Sequence, residues 1–352
     1  MPPNCWNVGI VGYGFSAKIF HIPFITQVPE LKLYAIVQRT PRPDDDAEVG
    51  HPGVKSYRTA GDMMKDPAVE VVIITTAPDS HFALSKLAIQ AGKHVVCEKP
   101  FTPTSLEADV LIALAKEHKT LLSVYHNRRW DADFVTLAKL IENGSLGRIT
   151  EFETHFDYHF PNPPAPDAHK WRGKAMTGAS GVYDLGVHLL DQAIQLFGLP
   201  SEVTGFIGSD REPNTSGFED SFTVLLHYTN GMKVTAKGTV VSPEDDFKKF
   251  HLDIQEDQLK TGIMPSESTF GHEPSERYAT LTSVQGFDPT TFTKKTIPTV
   301  DPPTYTEFYR RFVHALSGNG EVPVSGEDGR RAIHLVELAY ESSRTRRTIA
   351  LR

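Results

Sequence analysis

Residues 6–17 read "WNVGIVGYGFSA", and this stretch decides the fold. An apolar run leads into Gly12-Tyr13-Gly14-Phe15-Ser16-Ala17, which is G-x-G-x-x-A. Apolar residues then recur at helical spacing as far as Val28, so strand, glycine turn and helix are expected in that order. In such a turn the first glycine makes the tight bend and the second lets the backbone approach a pyrophosphate. The small third residue allows close helix–strand packing. Gly12, Gly14, Phe15, Ser16 and Ala17 are therefore candidate cofactor contacts, with phosphates at the helix N-terminus. The pattern is weak alone and gains weight only in an alternating β/α series.

The series is there. "LKLYAIV" (31–37), "VEVVIITTA" (69–77), "HVVCEK" (94–99) and "TLLSVYH" (120–126) read as strands. "DSHFALSKLAIQAGK" and "TSLEADVLIALAKEHK" read as helices between them. Gly92 suits a helix C′ position, and Thr104 or Ser105 an N-cap with Glu107 close by. Strands apolar on both faces indicate a parallel sheet covered on both sides. Residues 1–125 are thus expected to form a doubly wound α/β dinucleotide-binding domain.

Beyond this point the pattern changes. In "RITEFETHFDYHF", Phe152, Phe156, Tyr158 and Phe160 alternate with Glu151, Glu153, His155, Asp157 and His159, predicting a long strand with one buried face. "GVYDLGVHLLDQAIQLFG" predicts a helix over 181–198. Strands follow in "SEVTGFIGS", "DSFTVLLHYTNG" and "MKVTAKGTVVS", with a turn at Asn230–Gly231, and two helices close the chain. Residues 126–352 are expected to form an α+β domain with a large, mainly antiparallel, open sheet.

Which dinucleotide binds depends on the tip of the second strand. "AIVQRTPRP" has no acid there to hold a ribose 2′-hydroxyl. Arg39 and Thr40 stand in its place with Arg42 nearby, and a cation with a hydroxyl suits a 2′-phosphate. NADP is expected, with NAD as the alternative. Asp184 and His188 lie four residues apart in a helix and so share a face, with Asp191 close to it. A carboxylate and an imidazole together can grip a hydroxyl and accept its proton.

Composition narrows the rest. The chain has 352 residues and a formal charge of −8, which argues against nucleic acid or an anionic membrane as partner. No apolar stretch is long enough to span a bilayer. The two cysteines, Cys5 and Cys97, form no disulfide framework, so a cytoplasmic location is expected. His155, Asp157 and His159 on one strand are thin evidence for a metal, and none is expected.

The glycine turn, the strand ending Glu98-Lys99-Pro100 and "GVYDLGVHLLD" together resemble the Gfo/Idh/MocA oxidoreductase family. "TTAPDSHFALSKLAIQAGKHVVCEKPF" is similar to that family as a whole; "SVYHNRRWDADF" and "LLDQAIQLFGLP" resemble its NADP-dependent scyllo-inositol dehydrogenase group. The resemblance implies a cis peptide before Pro100 and a Lys99 that polarises the reacting oxygen. It implies that Asp184 holds a neighbouring hydroxyl and orients the imidazole, and that His188 takes the proton as hydride leaves. Thr75, Pro78, His81, Glu98 and Lys99 match cofactor-lining positions, although His81 also reads as a plain helix-start histidine. Asn127, Arg129, Asp157, Trp171 and Arg172 are candidate substrate contacts; Arg129 reads equally as an internal ion-pair partner, and Trp171 as a packing residue.

The implied activity is NADP-dependent hydride transfer on a small polyhydroxylated substrate, a cyclitol or sugar, in a homodimer or larger homo-oligomer. The alternative is a catalytically silent, NADP-binding sugar sensor. One departure stands out. "SPEDDFKKFHLDIQ" runs directly on where relatives have a strand and turn, near residues 243–250.

Overall fold

The structure is a computed structural model that describes residues 5–162, 176–212, 217–242, 271–273, 275–284 and 292–351. The chain departure at 243–250 and the candidates Trp171 and Arg172 lie outside the described residues. In chain order the first half contains β1 (Trp6–Val11), α1 (Ile22–Ile25), β2 (Leu31–Val37), α2 (Ala47–Gly50), β3 (Lys55–Tyr57) and α3 (Ala60–Met64). β4 (Val71–Ile74), α4 (His81–Gln90), β5 (His94–Cys97), α5 (Ser105–His118), β6 (Leu122–Val124) and α6 (Ala132–Glu142) follow. The second half contains β7 (Glu151–His155), α7 (Val187–Phe197), β8 (Glu202–Gly208), β9 (Ser221–His227), β10 (Lys233–Gly238), β11 (Ala279–Val284) and β12 (Phe292–Ile297). Two helices, α8 (Thr306–Leu316) and α9 (Gly326–Thr345), and the short β13 (Ile349–Ala350) end it.

Six parallel strands form the first sheet, in the order β3-β2-β1-β4-β5-β6. All four residues of β4 are buried, as a strand covered on both faces must be. The order reverses between β1 and β4, so a crevice opens beyond their carboxyl ends, where ligands bind in sheets of this kind. Thr104 caps α5 and forms a capping box with Glu107, and Gly92 takes φ +72° after α4.

The second sheet runs β13-β8-β9-β10-β7, and three of its four pairings are antiparallel. β7 joins β10 in parallel. α9 lies against β8 and also packs on α5, so one helix braces both sheets. Its approach to β8 is close enough to require glycine: a Cβ on Gly205 would lie 2.3 Å from the Ala339 carbonyl oxygen. β11 and β12 form a separate antiparallel pair. The core of the first sheet also takes in Tyr305, Phe308, Tyr309 and Phe312 from the α8 region, far along the chain.

Two helices differ from the sequence reading. Residues Ala17–His21 form a π-turn before α1, and Val182–Gly186 form another before α7. Pro23 in the first turn of α1 has no N–H to donate back toward residue 19, which accounts for the wider turn before it. The strand expected over 151–160 also departs from strict alternation. β7 ends at His155, His155 and Asp157 are buried, and Phe160 is 60% exposed. The two polar side chains tolerate burial because they pair: His155 Nδ1 lies 3.1 Å from Asp157 Oδ2, and Asp157 Oδ1 accepts from Thr239 N–H at 3.0 Å.

Candidate active site

The glycine turn sits at the carboxyl end of β1. Gly12 takes φ +102°, a conformation that favours glycine, and a Cβ there would come within 3.0 Å of Thr75 Oγ1. The Thr75 hydroxyl lies 3.0 Å from both the Val11 and Gly12 carbonyl oxygens and so pins the turn to the end of β4. A Cβ on Gly14, by contrast, would meet nothing within 4 Å. The protein thus leaves open space where a pyrophosphate would approach, and the residues present fit a dinucleotide. Ala17 is fully buried against the sheet, whereas Phe15 is 44% exposed at the turn. Pro78 is buried in a short 3-10 turn at the same end of the sheet. Arg39 and Thr40 are exposed at the tip of β2. Asp45, an acid that the sequence reading did not weigh, lies close by and pairs with both Lys18 and Arg42.

Glu98 and Lys99 leave β5 in opposite roles. Lys99–Pro100 is the cis peptide bond among the described residues. The Glu98 carboxylate is buried, accepting from the Ser16 hydroxyl, from His21 Nε2 at 2.9 Å and from Lys99 N–H at 2.9 Å. On the other side of the ring, His21 Nδ1 lies against the Tyr309 hydroxyl. Burial alone would raise the carboxyl pKa, but the hydrogen bond and charge of His21, with Lys99, bring it down to about 2. His81 stands behind the same bend: Nδ1 is 2.8 Å from the Pro100 carbonyl and Nε2 3.0 Å from the Thr76 carbonyl. His81 therefore ties the segment after β4 to the bend after β5.

Lys99 points the other way. Its Nζ donates to Asp184 Oδ1 at 2.7 Å and to the Asp184 carbonyl at 2.9 Å, across 85 residues of chain. The π-turn is what presents both atoms of Asp184 to one ammonium group. Gly186 permits it, because a Cβ there would lie 2.8 Å from Val182 Cγ2. An ammonium has three donors, so one remains for a substrate oxygen.

His188 follows in α7, buried, with Nδ1 lacking a hydrogen-bond partner among the described residues. Its pKa is held well below the ordinary value, first by burial and then by Lys99, Arg128 and His126. The imidazole is therefore neutral and ready to accept a proton.

The remaining candidates surround this group. Asn127 is buried in a 3-10 turn just beyond β6. The Arg129 guanidinium is bidentate to Asp191, at 2.8 and 2.6 Å, and reaches Asp328 at 3.3 Å. Asp157 is taken up by His155 and Thr239. His21, His126 and Tyr309 went unread in the sequence; each acts through contacts with distant segments.

The comparisons agree with this architecture. Residues 6–126 match the family described as "Oxidoreductase family, NAD-binding Rossmann fold", and residues 138–351 its C-terminal alpha/beta domain. The chain belongs to the Gfo/Idh/MocA oxidoreductase family. It is similar to the scyllo-inositol 2-dehydrogenase (NADP(+)) IolW of Bacillus subtilis, at 36% identity covering 98% of this chain and 96% of that protein. It is also similar to the myo-inositol 2-dehydrogenase of Thermotoga maritima, at 26% identity over 98% of each. Among solved structures, the yvaA protein of Bacillus subtilis superposes with a TM-score of 0.89 at 35% identity, covering 100% of both chains. The family places an NAD(P) cofactor in the Rossmann half and makes this chain an oxidoreductase. Among the described residues, no helix is long and apolar enough to cross a membrane.

Proposed function

We propose that this member of the family is an NADP-dependent dehydrogenase that moves a hydride between the nicotinamide and a secondary alcohol or ketone of a cyclitol or sugar. The observation that carries the reading is the pairing of Lys99 with Asp184 beyond the carboxyl end of β5, with His188 buried four residues on and within reach of the Lys99 charge. The nicotinamide, when bound, supplies the hydride chemistry. The chain's own residues do the rest. The third Lys99 donor binds the reacting oxygen and stabilises the negative charge that grows on it. Asp184 fixes that ammonium and offers its carboxylate to an adjacent hydroxyl. His188 accepts the hydroxyl proton during oxidation and returns it during reduction.

A polyol suits the site because it presents an adjacent hydroxyl to Asp184 as well as the reacting one. The activities of the inositol dehydrogenase relatives support the same substrate class. NADP is favoured by exposed Arg39 and Thr40 at the β2 tip, and by the neutralisation of Asp45 from two sides by Lys18 and Arg42. NAD as the rival cofactor would use Asp45 as its ribose acid. The face of the second sheet that carries Phe206, 61% exposed, is the proposed contact between copies of the chain.

The test is a fluorescence titration with NADPH and NADH, followed by nicotinamide absorbance with NADP and a panel of inositols and sugars. Tighter NADPH binding and turnover of a polyol are expected. Tight binding without turnover of any of them would replace the enzyme by a sensor.

A further inference from the structure

Among the described residues, five buried side-chain polar atoms have no hydrogen-bond partner, and three of them lie together. They are Nδ1 of His188 and both ring nitrogens of His126. His126 is 1% exposed just beyond β6, and its ring meets that of His188 edge-on, with centroids 6.0 Å apart at 84°. Asp191, one turn along α7 from His188, places Oδ2 4.0 Å from His126 Nδ1. That carboxylate is itself fixed by two hydrogen bonds from Arg129. Leaving a buried polar group unpaired costs about 1–3 kcal/mol, and native structures hold few of them. Three in one place, directly behind the proposed base, mark groups that pair in the working protein.

We propose that His126 is a positioning residue for His188, forming a chain from the Asp191 carboxylate through His126 to His188 behind the substrate. In this chain His126 Nδ1–H donates to Asp191, which asks the 4.0 Å separation to close by about 1 Å. His126 Nε2 is then bare and accepts from His188 Nδ1–H once these two unpartnered atoms of the facing rings close to hydrogen-bond distance. That fixes the His188 tautomer with Nε2 bare, the form a proton acceptor needs. When His188 takes the substrate proton it becomes an imidazolium, and its Nδ1–H bond to His126 becomes charge-assisted and stronger.

The surroundings make this support matter. His188 faces the cations Lys99, from the end of β5, and Arg128, from beyond β6, both of which oppose a charge on it. His126 faces Asp191 and Asp328 on one side of the balance and Arg129 and Lys99 on the other. Burial keeps the His126 pKa below the ordinary value, so at neutral pH His126 enters as an uncharged hydrogen-bonding ring.

This inference rests on the dehydrogenase reading for its kinetic consequence but not for its structural one. The test therefore uses two readouts on the NADP-bound full chain: nitrogen-15 NMR of the His188 ring, and steady-state kinetics on a turned-over polyol. In the unmodified protein His188 should show the Nδ1–H tautomer. His126→Phe should lose that tautomer and lower kcat about tenfold or more while KM changes less than about threefold. His126→Gln, whose amide can both donate to Asp191 and accept from His188, should restore the tautomer and part of kcat. An Nε2–H tautomer in the unmodified protein would overturn the proposal even if His126→Phe failed to fold. So would equal losses in both variants with an unmoved tautomer. The Nδ1–H tautomer, lost in His126→Phe and regained in His126→Gln without turnover of any polyol, would sustain the chain and defeat the dehydrogenase reading instead.

Discussion

Lys99→Ala removes the group on which the proposed chemistry turns. Lys99 Nζ spends two donors on Asp184, at 2.7 and 2.9 Å, and keeps one for substrate. Losing a neutral donor to a developing oxyanion costs about 10²–10³ in rate. A charged donor is roughly twice as strong, so a loss of at least about 10³ in kcat is expected. The stability cost is smaller. The Lys99–Asp184 pair is broken, but both side chains are 14% exposed and water reaches them, so the loss falls below the roughly 3–5 kcal/mol of a fully buried broken pair. NADPH binding should stay within about threefold, because Lys99 points away from the glycine turn toward Asp184. The assay is kcat and KM with NADP and a substrate polyol, with NADPH affinity read by fluorescence on the same preparation. If Lys99→Ala turns over within tenfold of the unmodified protein, the reasoning about the third donor is wrong.

Three further outcomes follow from the charges of the site. Because the His188 pKa is held well below the ordinary value, kcat/KM for oxidation should show no loss on acidification through about pH 6.5, and its acid limb should lie lower; a limb at the ordinary imidazole value would contradict the depression that burial and Lys99 impose on His188. Glu98, brought from 4.5 to about 2, contributes about 3 kcal/mol that is present above pH 4.5 and lost as pH falls toward 2. Glu98→Gln should lower Tm at pH 7 and narrow its difference from the unmodified protein on acidification, as seen by thermal denaturation across pH; a constant difference would contradict the assigned charge. Arg39→Ala should weaken NADPH about tenfold or more while leaving NADH nearly unchanged, and equal weakening of both in binding titrations would remove Arg39 from the 2′-phosphate.

Local signals made much of the first half legible. The apolar strands, the glycine turn, the Thr104–Glu107 capping box and the helix stop at Gly92 each depend on residues close in sequence. What escaped depends on distant partners. The binding of two Asp184 oxygens by Lys99 joins segments 85 residues apart. The Ser16–Glu98–His21–Tyr309 network joins residues up to 288 positions apart. His155 and Asp157 broke the alternation rule because a paired polar group can be buried where a lone one cannot. Asp45 was passed over because it lies beyond the strand tip and returns to it only through the turn that Gln38 holds, with Nε2 2.6 Å from the Asp45 carbonyl. Arg129 carried two readings in the sequence, and its guanidinium is engaged by Asp191 and Asp328.

The most direct test of hydride transfer follows the hydride itself. NADPH carrying deuterium on its transferable position is mixed with the protein and cyclic polyol ketones, and the products are examined by mass spectrometry and NMR. The account predicts deuterium on the carbinol carbon of one product and its loss from the nicotinamide. Unchanged labelled NADPH with every ketone, from protein that binds NADPH tightly, would contradict it.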